Sequence, residues 1–466
     1  MQQKEGEMDP IFNLVRNVTQ ARYEAIPANV VEATKKEILD CLGVALAGSS
    51  ASGVGELVEL VKEWGGSKQS SVICYGLKVP APNAAQANAT MIHARDYDDG
   101  HAGALIHPGV ISVAACFAVA EQKGRVSGKE FITAVTLSTD LICRLGLATK
   151  PEGSLATAGW HFTTLYGFLS AAAAAGRILG LDEDKMVNAL GIAYHQCSGN
   201  MQCVLDGALT KRMGPGFAVK GGITAALMAE KGITGAKNSL EGEMGMYNLY
   251  HRGGYDAAAL TADLGKSFEA LNFSIKPYPC CGITHPFIDA TLALVSEHNI
   301  RPDEIYEITA FHGEGSRVLC EPLEVKQKPR NLVDAQFSIP WAVAVAVVKK
   351  RVSIADFSEA AIKDKDILGI SQKVVPKVDA SLNRKAVEPG RVQIITKGGE
   401  AYSKQVDNPL GSPLNPMTFD DCVRKFLDCA TYSIKHIPSE KLDKVVELIK
   451  ELERVDDVAE IIGQIG

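Results

Sequence analysis

The chain has 466 residues, of which 46% are apolar and 22% charged, and it carries a formal net charge of -7. That length exceeds the roughly 250–300 residues that one hydrophobic core supports, so two domains are expected. The composition excludes a disordered or fibrous chain, and the acidic balance offers nucleic acid and anionic lipid no general attraction, so neither is an expected partner.

Residues 1–10 hold acidic side chains and no apolar core, so they do not read as a signal peptide and a cytoplasmic location is expected. The apolar stretches 111–120 and 169–181 are short or interrupted by Arg177, and no membrane span is predicted. The eleven cysteines form no CxxC and no Cys/His pair at zinc spacing. Reduced thiols are therefore expected, without disulfides, structural zinc or an iron–sulfur cluster.

In chain order, residues 28–47 place Val31, Ile38, Leu42 and Ala45 on one helical stripe. Helical texture continues to about residue 265, with an alanine-rich helix at 168–181 and another at 219–231. After about residue 268 the pattern changes. Residues 304–311 alternate as a strand does, and 391–396 followed by Lys397-Gly-Gly and 401–406 reads as a hairpin. Helices are predicted between them at 286–299 and 339–349. Ser439 then caps an amphipathic run with Leu442, Val445, Val446, Ile449 and Leu452 on one face, expected to pack back on the first domain. The fold class is mainly α: a large all-helical domain formed from both chain ends, 1–268 and 411–466, plus a smaller α+β domain at 269–410.

Four polar clusters carry the chemistry. The first runs from His93 through Arg95, Asp96, Asp98, Asp99 and His101 to His107-Pro108-Gly109, with Pro108 opening a helix. Imidazoles beside carboxylates suit a tuned acid/base pair; a divalent-metal site or a hydrogen-bonded cap are the alternatives. The second is Gly159-Trp160-His161-Phe162-Thr163-Thr164, before the alanine-rich helix. The third, Thr210-Lys211-Arg212-Met213-Gly214-Pro215-Gly216, puts two cations in a turn entering the next helix, a seat for a carboxylate or a solvated basic turn. The fourth, Lys276-Pro277-Tyr278-Pro279-Cys280-Cys281-Gly282-Ile283-Thr284-His285-Pro286, is a stiff loop at the domain seam. Its Cys281 admits a nucleophilic-thiol reading, but no hydrolase-type signature surrounds it. Each cluster delivers His, Lys or Asp just before a helix, which favours an anionic polycarboxylate as ligand.

These segments, together with Asp40-Cys-Leu-Gly-Val-Ala-Leu-Ala-Gly48 and Asp334-Ala-Gln-Phe-Ser-Ile-Pro340, resemble the MmgE/PrpD family over almost the whole chain. That family includes 2-methylcitrate dehydratase, cis-aconitate decarboxylase and iminodisuccinate epimerase. The resemblance implies that the α+β domain is a lid, that the protein is a homodimer, and that an interdomain cleft works with neither metal nor organic cofactor. By position, Asp96, His107, His161, Lys211 and Lys276 match the family's active-site residues. Arg95, His101, Arg212, Tyr278, Cys281 and His285 are expected to contact the substrate. Gly100 stands where many members carry threonine, and Cys281 where the decarboxylases place a histidine; both argue against decarboxylation in particular. The chemistry implied is proton transfer on a carbon beside a carboxylate. Lys211 and Lys276 would stabilise the charge, His107 or His161 would exchange the proton, and Asp96 would orient the imidazole. On family frequency the expected activity is dehydration of a 2-methylcitrate-like acid, with epimerisation and then decarboxylation behind it. A dimeric scaffold that binds an anionic metabolite is the non-enzymatic alternative.

Overall fold

A computed structural model describes residues 8–150, 159–384 and 389–466. Most of the stretch behind the signal-peptide reading, residues 1–7, lies outside the described residues. The fold is mainly α, as the sequence predicts. The chain divides into two compact units, one of residues 1–94, 98–273 and 418–466, the other of residues 95–97 and 274–417. The second unit thus takes up residues 95–97 from within the helical part of the sequence.

The first unit contains α1 (Ile11–Gln20), α2 (Ala28–Gly48), α3 (Val54–Trp64), α4 (Ala81–His93), α5 (Gly109–Lys123), α6 (Gly128–Ala148), α7 (Phe162–Leu179), α8 (Glu183–Tyr194), α9 (Gln202–Leu205), α10 (Thr210–Glu230), α11 (Met246–His251) and α12 (Ala257–Thr261). A two-stranded antiparallel ribbon of β1 (Ser70–Val72) and β2 (Leu77–Val79) sits between α3 and α4. In the second unit, α13 (His285–Glu297), β3 (Ile305–His312), α14 (Leu323–Gln327), α15 (Leu332–Gln336), α16 (Ile339–Lys349), α17 (Lys365–Ser371), β4 (Val374–Val378), β5 (Gly390–Thr396) and β6 (Ala401–Val406) follow one another. The chain then returns to the first unit with α18 (Phe419–Ala430), α19 (Ser439–Lys450) and α20 (Ala459–Ile465).

α2 is not the one-sided helix that its stripe suggests. From Val30 to Gly48 most residues are buried, including Lys35, Glu37 and Asp40. Buried charges need partners. Lys35 Nζ meets Glu453 at 2.6 Å and donates to the Lys450 carbonyl at 2.9 Å, while Asp40 is 2.6 Å from Lys425 on α18. The returning C-terminal helices thus neutralise α2 as well as cover it. α18 also passes so near that a Cβ on Gly43 would lie 3.0 Å from the Phe426 Cα. Ser439 is the first helical residue rather than the cap, which is Pro438.

α6 and α7 are long and apolar enough to cross a membrane by length and composition, more than the short stretches suggested. Yet 94% and 89% of those segments are buried inside the protein, the position of core helices. No disulfide joins the described cysteines, most of which are buried.

The second unit is built on a four-stranded sheet in the order β4-β3-β5-β6, with β3 parallel to β4 and the β3/β5 and β5/β6 pairs antiparallel. The hairpin at 390–406 stands where Lys397-Gly-Gly predicted it. Phe287, Trp341, Val343, Val345, Ile308 and Ile394 share its core.

Candidate active site

The first cluster divides between the two units. In the first unit α4 ends at His93, and the chain returns at Asp98 to run through a turn closed by the His101/Ile106 bridge to His107. His93 Nδ1 lies 2.7 Å from Asp98 Oδ2, and His107 Nδ1 lies 3.3 Å from the same oxygen. His107 Nδ1 is also 2.6 Å from the Asp99 carbonyl oxygen. A carbonyl only accepts, so His107 donates from Nδ1 and its Nε2 is the basic atom. Asp98 is the carboxylate that orients the imidazoles. The expectation gave that task to Asp96.

Asp99 works through its other oxygens. Its Oδ2 accepts the Gly109 N–H at 3.0 Å, satisfying one of the orphan donors at the start of α5. A Cβ at position 109 would lie 2.7 Å from Cys41 Sγ and 2.9 Å from Asp99 Oδ1, so a larger residue there would displace one or both. Behind this turn, Glu37 Oε1 accepts the Thr139 hydroxyl at 2.8 Å. Burial pushes Glu37 up to about 8, with Asp40 adding to the rise, and burial together with Glu37 and Asp98 pushes Asp99 well above the carboxylate range. Burial would raise Asp98 too, but His93 and His107 overcome it and hold that carboxyl well below its usual value. In this acidic nest, therefore, Glu37 and Asp99 favour the protonated form and Asp98 keeps its charge.

The second cluster joins the first. His161 is the N-cap of α7, and its backbone N–H donates to the Gly199 carbonyl at 3.3 Å. The two threonines that follow hold one histidine each. Thr163 Oγ1 accepts the His107 N–H at 3.0 Å, and Thr164 Oγ1 lies 2.6 Å from His161 Nδ1. The N-termini of α5 and α7 are thereby brought together. The ring centroids of His107 and His161 lie 4.8 and 5.8 Å from that of His93. Burial lowers His93 to about 4 and lowers His161 strongly, and the Lys211 charge pushes both further down. Both rings are neutral near pH 7.

Lys211 lies within α10, not in a turn before it. α10 starts at Thr210 and runs through Pro215. A proline this early forfeits a single i→i−4 hydrogen bond, and its neighbours explain its use. A Cβ on Gly214 would be 2.5 Å from Thr164 Oγ1 and 3.3 Å from His161 Nδ1, and one on Gly216 would be 2.6 Å from Thr90 Oγ1. The Gly-Pro-Gly segment lets α10 lie directly on α7 and α4, which brings the Lys211 charge to bear on His93 and His161. Arg212 donates to the Ser52 carbonyl at 3.0 Å, so a structural bond engages part of the guanidinium expected on the substrate.

His101 was expected at the substrate as well. Its Nδ1 accepts the Ala104 N–H at 3.1 Å and its Nε2 is 3.0 Å from Glu269 Oε2. With both ring nitrogens engaged and the residue buried, it fixes the turn instead.

In the second unit, Lys276 Nζ donates to the Asp96 carbonyl at 2.9 Å and lies 3.3 Å from its carboxylate. This ion pair already offsets the cation expected to meet developing charge. Gln336 donates to the Arg95 carbonyl at 2.7 Å and the Tyr97 hydroxyl to the Pro277 carbonyl at 3.0 Å, so residues 95–97 are tied to the 276–286 loop. Tyr278 donates to Asp289 Oδ1 at 2.7 Å. The buried His285 ring packs edge-on against Tyr278, 5.3 Å between centroids, with Nε2 3.3 Å from the Cys280 carbonyl. These contacts brace the loop. Cys281 is half-buried, and its backbone N–H donates to the Gln336 carbonyl at 3.0 Å.

His93, Asp98 and His107 are also the group most suggestive of a metal centre, with ligating atoms within 4.8 Å of one another. Ligand atoms around a zinc ion bonded at about 2.0–2.1 Å sit roughly 3.3 Å apart. Both Nδ1 atoms take part in hydrogen bonds here, which an ion would have to displace. The aspartate triad weighed for a hard cation is likewise dispersed, Asp96 to Lys276, Asp98 to two imidazoles and Asp99 to the Gly109 N–H.

In the helical unit, His93, His107 and His161 gather beside the buried Asp98 carboxylate. The chain belongs to the MmgE/PrpD family: the family's N-terminal domain matches residues 13–257 and its C-terminal domain residues 278–451. Among curated relatives, the cis-aconitate decarboxylase of Aspergillus terreus is 27% identical over 94% of this chain and 92% of that protein. The cis-aconitate decarboxylase-like protein oryM of Aspergillus oryzae is 26% identical over 96% and 95%, and the cis-aconitate decarboxylase of Homo sapiens 24% over 92% and 88%.

Proposed function

We propose that the protein is a lyase that works by proton transfer beside a carboxylate of a small polycarboxylic acid, with cis-aconitate as the first substrate to test. One observation carries the reading: His107, its Nδ1 proton fixed by Asp99 and Asp98, presents a basic Nε2 in a cluster held under the Lys211 charge. The names of the relatives favour decarboxylation over the dehydration expected from family frequency. In that reaction the bond to a departing carboxylate breaks and CO2 leaves. The electron pair shifts across the adjacent double bond, and the carbon at its far end takes one proton from His107 Nε2, which has first taken that proton up from solvent. Lys211 offsets the substrate's negative charge.

Dehydration of a 2-methylcitrate-like acid is the second reading, favoured by Gly100 and Cys281, which depart from the decarboxylase pattern. There His107 Nε2 removes the proton and hydroxide leaves from the neighbouring carbon. Proton NMR of the purified protein with cis-aconitate and with 2-methylcitrate in deuterated water separates the two. CO2 release with one deuteron in the unsaturated product supports the first, and loss of water the second. Neither turnover nor deuterium exchange on any acid of a citrate-, malate- and aconitate-like panel would overturn both.

A further inference from the structure

The proton-transfer reading uses His107 and Lys211 and leaves His93 without a task. Yet His93 is the most enclosed of the three imidazoles, 1% exposed at the end of α4. Its Nδ1 faces the Asp98 carboxylate, and its Nε2 is buried with no hydrogen-bond partner among the described residues. A buried acceptor left bare costs about 1–3 kcal/mol. A leucine of similar volume would avoid that cost, so packing alone does not account for a histidine.

Asp98 Oδ2 is the shared point of the cluster, 2.7 Å from His93 Nδ1 and 3.3 Å from His107 Nδ1. Asp98 lies in the loop beyond α4, and α4 supplies the shorter of these two approaches. We propose that His93 is a positioning residue: by donating from Nδ1 to Asp98 Oδ2 it aims that carboxylate at the Nδ1–H of His107, and so fixes the direction of the His107 base. A neutral donor serves here, because an imidazolium at position 93 would compete with His107 for the Asp98 carboxylate. The groups facing His93 enforce this. Lys211 and His107 oppose a positive charge on it, while Asp98 alone favours one.

The proposal predicts a tautomer as well as a kinetic effect. In the wild-type protein with 15N-labelled histidines, long-range proton–nitrogen NMR at pH 7 should show His93 neutral with its proton on Nδ1. A proton on Nε2, or on both nitrogens, would overturn the proposal. This arm needs no substrate, so its failure is distinct from failure of the proposed activity. The kinetic arm rests on that activity. His93→Leu should lower kcat about 10²-fold with KM changed less than about 3-fold, as expected when the base is misdirected but the substrate is still held. His93→Asn, whose amide nitrogen occupies the place of Nδ1, should recover most of the loss. His93→Gln, which moves the donor to the place of Nε2, should not. The Asn/Gln pair decides the question if the leucine variant fails to fold. Equal kcat for the two, or wild-type kcat in folded His93→Leu, would rule the positioning role out.

Discussion

His107 is bonded to Asp99 through the backbone rather than through the carboxylate: its Nδ1 stands 2.6 Å from the Asp99 carbonyl oxygen, while Asp99 Oδ2 takes the Gly109 N–H. One residue thus sets both the tautomer of the base and the start of the helix behind it. His107→Asn, which keeps a donor near Nδ1 but deletes Nε2, should fold as the wild type does. Its turnover should fall about 10²–10⁴-fold. Thermal melts alongside steady-state rates check this, and undiminished turnover would remove His107 from the chemistry.

Lys211→Met should weaken both binding and rate, because in the proposed reaction the cation acts on a dianion or trianion and on its transition state. Removing one charge-assisted hydrogen bond corresponds to about a 10- to 100-fold change in kcat/KM. Kinetics on the identified acid provide the check. A covalent adduct at Lys211 after borohydride treatment during turnover would instead reveal a Schiff base and sink the electrostatic role.

Stability should depend on pH through Glu37. Burial raises its carboxyl from an ordinary 4.5 to about 8 in the folded protein. Between those values the folded state holds a proton that the unfolded state has released, so stability falls as pH rises through this window. Burial lowers His93 to about 4, which works in the opposite sense below about 6.5, where the unfolded chain binds the extra proton. Between pH 6.5 and 8 the decline should therefore come from Glu37 and its neighbour Asp99, which burial raises in the same sense. Glu37→Gln, a neutral isostere able to keep the Thr139 bond, should flatten the decline there. Denaturant titrations at three pH values would show it, and parallel curves for variant and wild type would contradict it.

Gly214→Ala should impair the site without altering any charge. The added methyl meets Thr164 Oγ1 and His161 Nδ1, and overpacking of this kind costs about 1–3 kcal/mol. Gly55→Ala is the control, since a Cβ at that helical position meets nothing within 4 Å. Calorimetry should show the first lowering Tm and the second leaving it unchanged or slightly raised. Equal effects would argue against the close approach of α10 to α7.

Much of this was legible in the sequence. The stripe in α2 and the Lys397-Gly-Gly hairpin follow from periodicity and turn chemistry, and the histidine loops announce themselves by composition. Which of three aspartates serves the imidazoles was not legible. Asp96 adopts a left-handed φ of 53°, so the chain reverses there and brings Asp98, five residues after His93, back to His93. Spacing rules for helices and strands carry no such reversal. Pro215 misled in a different way. Proline normally marks a boundary, but here the glycines on either side allow a helix to continue through it against two close neighbours. The structural roles of His101, Tyr278 and His285 were hidden for a third reason, since their partners Glu269, Asp289 and Cys280 are set by tertiary packing rather than by any local pattern.

The return of α18, α19 and α20 to the first unit bears on how the protein comes into being. Lys425, the partner of buried Asp40, emerges from the ribosome some 385 residues after it, once the whole of 274–417 has been made. Until then α2 lacks the Lys425 cation and the cover of α18. The helical unit therefore gains its last core contacts only after residue 417 has been made. Nascent chains stalled after Met417 should be cut within α2 by a protease that spares the released full-length protein.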